Sequence, residues 1–93
     1  MSERLTDARV YALAAAVSGL LPEGVGVSAY RSSGRWVLDE IATDRGSRVE
    51  AHVRTLRADT RLGIYEYLHA MRAALWLAGD ARTTYTNLGG EDA

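Results

Sequence analysis

Apolar side chains near the N-terminus of the chain recur every three or four residues, which is the spacing of one face of an α-helix. These positions are Val10, Leu13, Val17, Leu20 and Leu21. Ser2 or Thr6 can cap the start of this helix, and Gly19 is suited to its C-terminal cap. Pro22 cannot continue a helix, so the first helix is predicted to end before it.

Three segments after this helix show the two-residue alternation of β-strands. They cover residues 25–30, 35–43 and 48–55, and turn residues at 32–34 and 43–46 separate them. The third segment alternates strictly, with Val49, Ala51, Val53 and Thr55 on one side and Arg48, Glu50, His52 and Arg54 on the other. Strict alternation of this kind is typical of a half-buried antiparallel strand.

The second strand segment does not alternate cleanly. Trp36 and Leu38 share one parity, whereas Ile41 has the other. A β-bulge inserts one extra residue into a strand and shifts the parity of the residues that follow it. A bulge near Asp39 is therefore predicted to bring Ile41 to the same face as Trp36.

A second, longer helix is predicted to begin at Asp59 or Thr60. It extends to about Ala78, where Gly79 is expected to end it. The apolar stripe that would face the core is Ile64, Leu68, Met71, Leu75 and Ala78.

The C-terminal segment 82–88 favours extended structure and is compatible with an additional edge strand. Residues 89–93 are predicted to form a flexible tail, which leaves residues 1–88 as a single α+β domain. The predicted fold places two helices on one face of a three-stranded antiparallel meander, in the order α-β-β-β-α. Its core is expected to combine Val25, Val27, Val49, Ala51 and Val53 with Val10, Leu13, Val17, Ile64, Leu68, Met71 and Leu75.

The two predicted helices carry more apolar surface than one sheet can cover. A second stripe on the long helix comprises Leu62, Tyr65, His69, Arg72 and Trp76, and small residues line the first helix at Ala8, Ala12 and Ala15. Either the two helices pack these faces together within one chain, or the faces bind a partner. Because a helix that is apolar on most sides is usually buried on more than one side, we predict a protein interface here, with a homodimer as its expected form.

The amino-acid composition argues against several classes of protein. The 93 residues include eleven basic and twelve acidic side chains, a net charge of −1, and no cysteine. These counts argue against a strongly basic nucleic-acid binder and against a disulfide framework. All basic residues are arginine and lysine is absent, which suggests a high-GC bacterial or phage gene. No apolar run is long enough to span a membrane and the N-terminus does not resemble a signal peptide, so a cytoplasmic protein is expected.

Candidate catalytic chemistry is sparse in this sequence. His52 lies between Glu50 and Arg54 on a predicted polar strand face, as expected for a solvated residue. His69 follows Glu66 by three residues, but carboxylate-bridged metal sites need two such motifs. The glycines lack the spacing of a phosphate-binding loop. We therefore expect no catalytic residues, no metal, no cofactor and no enzyme activity.

Nucleic-acid binding is the alternative prediction, with Arg35, Arg48 and Arg54 presented on the sheet. Three segments resemble the plant ethylene-response-factor DNA-binding domain: Gly34-Arg35-Trp36-Val37, Glu40-Ile41 and Arg45-Gly46-Ser47-Arg48-Val49. The resemblance implies DNA contacts by Arg35, Arg48 and Trp36. The family's glycine-aromatic-threonine turn is missing and the first helix is extra, so membership is not assigned. The element order also resembles double-stranded-RNA-binding domains, although their basic cluster is replaced here by residues 59–63.

The leading functional prediction is a small, non-enzymatic accessory or regulatory protein that binds another protein through apolar helix faces. The two predictions differ in their dependence on salt, because phosphate contacts weaken steeply as salt rises.

Overall fold

The chain folds into two helices and three strands in the predicted order. The computed structural model describes residues 4–43 and 50–89, with side chains as far as residue 79. The elements are α1 (Asp7–Leu20), β1 (Val25–Ser32), β2 (Arg35–Thr43), β3 (Glu50–Asp59) and α2 (Arg61–Gly89). The strands pair antiparallel in the order β1-β2-β3, which confirms the α+β meander. The proposed domain limits at residues 1–88 stay a prediction, and residues 90–93 lie outside the described part.

Local signals set the start of α1 and the turn between β1 and β2. Thr6 is the N-cap, and its side chain accepts a hydrogen bond from the Arg9 backbone N–H at 3.3 Å. Ser33 and Gly34 both have positive φ, 53° and 79°, as a two-residue type I′ hairpin turn requires. Gly19 is not the C-cap. The helix continues one residue further and Leu21 takes that position, because Pro22 is the first residue that cannot be helical.

The core lies between the helices and the face of the sheet that carries Val27, Ala29, Trp36 and Leu38. The helices contribute buried Val10, Leu13, Ala14, Val17, Ile64 and Leu68, with Met71 and Leu75 packed at the margin. The predicted helix stripes are thereby confirmed except at their ends, where Leu20 and Ala78 are exposed. Local periodicity decides which side of a helix is apolar, but not how far along the helix the core extends.

The prediction of strict alternation in β3 is wrong. Successive residues of β2 pair with Arg57 and then Thr55, and later with Arg54 and then His52, so Leu56 and Val53 are extra residues in β3. The bulges therefore lie in β3 rather than in β2. Two predicted core residues of β3, Ala51 and Val53, are exposed, and Val49 lies outside the described residues.

Strand β2 keeps an unbroken register with β1, so its side chains alternate without interruption. Trp36 and Leu38 face the helices, whereas Ile41, opposite Gly26, lies on the other face. The predicted regrouping of Ile41 with Trp36 is therefore wrong. The bulge is near the expected position along the sheet, but the neighbouring strand holds the extra residues.

Helix α2 is longer than predicted. It continues past Gly79 to Gly89, so segment 82–88 is helical and forms no C-terminal edge strand. Gly79 has no left-handed backbone conformation and thus does not terminate the helix. Extending an existing helix requires no new nucleus, and one interior glycine lowers helix stability by only about 1 kcal/mol.

Candidate interaction surface on the two helices

One side of α2 is buried against the core and the opposite side is exposed. At 100° per residue, four apolar side chains fall within about 100° of arc opposite the core stripe; they are Leu62, Ala73, Trp76 and Leu77. We call these four residues the outer face. Leu62 is 55% exposed, Trp76 52% and Leu77 71%. Ala73, Trp76 and Leu77 lie within two turns of one another, whereas Glu66 and His69 fall in the same arc between them and Leu62.

A groove runs between α1 and α2 beside this outer face. Its volume is about 370 Å³. Helix α1 lines it with Arg9, Ala12, Leu13 and Ala16, and α2 lines it with Tyr65, His69 and Arg72. We call it the α1–α2 groove. Ala12 and Ala16 contribute small side chains to the lining of the groove, and Arg9, Tyr65, His69 and Arg72 contribute long polar ones.

Two arginines, Arg9 and Arg72, make most of the polar contacts described in the groove. The Arg9 guanidinium donates to the Tyr65 hydroxyl at 3.3 Å and lies 5.7 Å from the centre of that ring. Arg72 lies 3.1 Å from Nδ1 of His69 and stacks over Trp76 at 4.8 Å. Tyr65 and His69 meet edge to face, with ring centres 4.6 Å apart. The stacked Arg72 joins the groove to the outer face.

The packing of α1 on α2 divides the second stripe of α2, predicted from the sequence, into a half-buried part and an exposed part. Tyr65, His69 and Arg72 are half-buried beside α1, whereas Leu62 and Trp76 remain exposed. Among the small residues, Ala8, Ala12 and Ala15 are all exposed, and only Ala12 lines the groove. Packing of α1 on α2 therefore covers one edge of the stripe and leaves the rest available.

Arg9 and Ala16 also line the groove, and the sequence prediction did not include them. Both lie at three- and four-residue intervals from Ala12, so the helical spacing contained the signal. The sequence prediction limited this side of α1 to Ala8, Ala12 and Ala15 and gave Arg9 no role.

The arginines of the nucleic-acid alternative do not share one sheet face. Arg54 lies opposite Glu40, on the face that carries the core, and bonds to it at 2.7 Å. Arg35 lies opposite Ser32, which places it on the other face. Arg48 is outside the described residues. Arg35 and Arg54, the two of these arginines that the structure describes, therefore point to opposite faces of the sheet.

The sheet face away from the helices carries a polar cluster centred on Asp39, which is 5% exposed. Its carboxylate accepts hydrogen bonds from Tyr30 at 2.7 Å and from Thr55 at 2.9 Å, and Nε2 of His52 lies 3.6 Å away. The bond to Asp39 raises the pKa of the Tyr30 phenol above its ordinary value, with desolvation and the carboxylate charge adding to the effect. Glu40 points to the opposite face, so the two neighbouring carboxylates form no catalytic pair.

The Asp39 cluster connects all three strands, because the hydroxyls of Tyr30 in β1 and Thr55 in β3 both donate to this one carboxylate in β2. Within residues 4–43 and 50–79, no group of three or more potential ligand side chains is arranged to hold a metal ion. No helix in the described part of the chain has the length and apolar character needed to cross a membrane.

Comparison with known proteins provides no relative: no family model, no curated protein and no solved structure matches the chain. The resemblance to the ethylene-response-factor domain is therefore not carried further. Inference about function rests on the geometry of the helices.

Proposed function

We propose that this protein is a non-enzymatic protein-interaction module, and that the outer face of α2 binds a second copy of the same chain. The observation that supports the proposal is the exposure of Trp76 and Leu77 next to each other on a helix whose opposite side packs on the core from Ile64 to Leu75. Soluble monomers rarely expose adjoining large apolar side chains of this kind without using them.

The relative lengths of the elements support the same surface. Helix α2 has 29 residues and is about 43 Å long, whereas the 14 residues of α1 reach about 21 Å. Among the described side chains of α2, Leu75 is the last that packs on the core. Helix α2 is thus about 20 Å longer than α1, and a second α2 is a partner of matching length.

A second copy also fits the symmetry that such a surface requires. A two-fold interface uses the same patch on both chains, so the patch must be self-complementary. The outer face combines large side chains, Trp76 and Leu77, with the small Ala73, which allows large residues of one helix to pack over the small residue of the other. A well-buried tryptophan at such an interface contributes about 2 kcal/mol, or roughly thirtyfold in the dissociation constant.

Light scattering across a micromolar concentration series tests the proposal. The wild type is expected to approach twice its chain mass of 10.1 kDa, and Trp76→Ala should move the equilibrium to the monomer. Val53→Ala is the matched control, because Val53 is also an exposed apolar residue, at 51%, but lies in β3. A wild type that stays at the monomer mass at every concentration refutes the proposal, as does equal weakening by Val53→Ala.

A further inference from the structure

The α1–α2 groove presents hydrogen-bond donors to solvent and no carboxylate. None of its lining residues within the described part of the chain is acidic. Arg72 has a ring nitrogen and an aromatic face as its neighbours, and no acidic group pairs with it among residues 4–43 and 50–79. A half-buried guanidinium usually pairs with a carboxylate or a phosphate, so the absence of one here distinguishes this arginine from Arg54, Arg57 and Arg61, which all have acidic partners.

The neighbouring side chains also act as donors. A guanidinium can only donate, so the contact with Arg72 makes Nδ1 of His69 an acceptor and places the ring proton on Nε2. Tyr65 accepts from Arg9, which leaves the proton of its own hydroxyl free to donate. The groove thus combines guanidinium, imidazole and phenol donors, and among the described residues its Arg72 has no acidic partner.

We propose that the α1–α2 groove binds an acidic segment of a protein partner, with a glutamate or aspartate carboxylate held by Arg72 and the donors beside it. A carboxylate satisfies several donors at once, and two parallel bonds to a guanidinium fix its orientation. The exposed methyl groups of Ala12 and Ala16 allow a partner backbone to approach closely.

This inference goes beyond the proposed self-association, because Arg72, which carries it, lines the groove and is not one of the four residues of the outer face. Tyr65 and Arg72 face α1, whereas Leu62, Ala73 and Leu77 face away from it on the helical wheel. One chain can therefore use the outer face for its second copy and the groove for a different, acidic partner. Each surface can fail its test without the other.

The test uses two peptides and fluorescence anisotropy. The probe is a fluorescein-labelled amphipathic helical peptide with glutamates flanking its leucine face, and its twin carries glutamine at each glutamate. The glutamate peptide is expected to bind at least about tenfold more tightly than its twin, the factor expected for one charge-assisted hydrogen bond. Arg72→Gln should abolish that preference, and Tyr65→Phe should reduce it several-fold.

Arg54→Gln is the matched control, because it removes the same charge from an exposed arginine outside the groove. It should leave the preference for glutamate unchanged. Equal affinity for the two peptides, no binding of either, or a preference that survives Arg72→Gln overturns the proposal. A duplex oligonucleotide that binds more tightly than the glutamate peptide and depends on Arg72 also overturns it, since the groove would then be a phosphate site. Light scattering on the same samples reports separately whether the chain self-associates.

Discussion

Replacement of Asp39 by alanine is expected to destabilise the fold more than any other change on the open face of the sheet. This carboxylate lies in the central strand and is almost fully buried. It accepts one bond from Tyr30 in β1 and one from Thr55 in β3. Thr55 lies between the two bulged residues of β3, so these bonds hold the register where the backbone pairing is least regular.

The expected loss in the free energy of unfolding follows from the two hydrogen bonds to Asp39 and from the bonds to water that replace them. Hydrogen bonds to a charged group contribute about 1.5–3 kcal/mol each. Tyr30 and Thr55 are exposed at their outer edges and can bond to water after the substitution, which recovers part of that loss. We therefore expect Asp39→Ala to lower the free energy of unfolding by about 2 kcal/mol, equivalent to a fall in Tm of about 10 °C for a domain of this size.

Urea unfolding followed by far-ultraviolet circular dichroism, at one fixed protein concentration, measures the change. Asp39→Asn should lose about half as much, because its amide oxygen still accepts one bond. Glu40→Gln is the control, since the partner of Glu40 within the described part of the chain is the exposed Arg54, and this pair should contribute under about 1 kcal/mol. The reasoning is refuted if Asp39→Ala stays within about 0.5 kcal/mol of the wild type, or if Tyr30→Phe shows no coupling to it in a double-mutant cycle.

Three further outcomes are expected. Gly63→Ala should lower Tm, because the added Cβ overlaps the carboxyl group of Asp59. In an Asp59→Ala background the same substitution should instead raise Tm in thermal melting, since alanine favours helices by about 1 kcal/mol. Ser18→Ala should lower the unfolding free energy by about 1–2 kcal/mol, since the hydroxyl bonds both an N–H and a C=O of β1, and an unchanged Tm contradicts this role. The raised pKa of Tyr30 stabilises the fold fully below its ordinary pKa of 10.0, and that stability is lost as pH rises through the folded-state pKa. Tyr30→Phe should therefore flatten the loss of stability measured between about pH 9 and 11, whereas an unchanged slope excludes the bond to Asp39 as its cause.

The sequence by itself determined the features that depend on neighbours along the chain. Thr6 caps α1 because its side chain and the Arg9 N–H are three residues apart. The turn at Ser33 and Gly34 forms because glycine adopts positive φ without strain. The buried stripes of both helices follow from their period, and so does the order of the elements.

Only the tertiary structure decided which parts of those elements are covered. The bulges in β3 could not be read from its strict alternation, because a bulge depends on how one strand pairs with the next. For the same reason the sequence indicated Asp39 only as the expected position of a bulge, although Tyr30 and Thr55 approach it from both neighbouring strands.

The candidate interaction surface was likewise predictable from the sequence in one part and decided by the tertiary structure in another. The sequence located the second stripe of α2, since its spacing is helical, but not which of its residues α1 would cover. That depends on how far two helices of unequal length overlap: α1 reaches Tyr65, His69 and Arg72, and α2 extends well beyond it. A pattern of residues specifies a face, but coverage of that face is a property of the packing between elements distant in the chain.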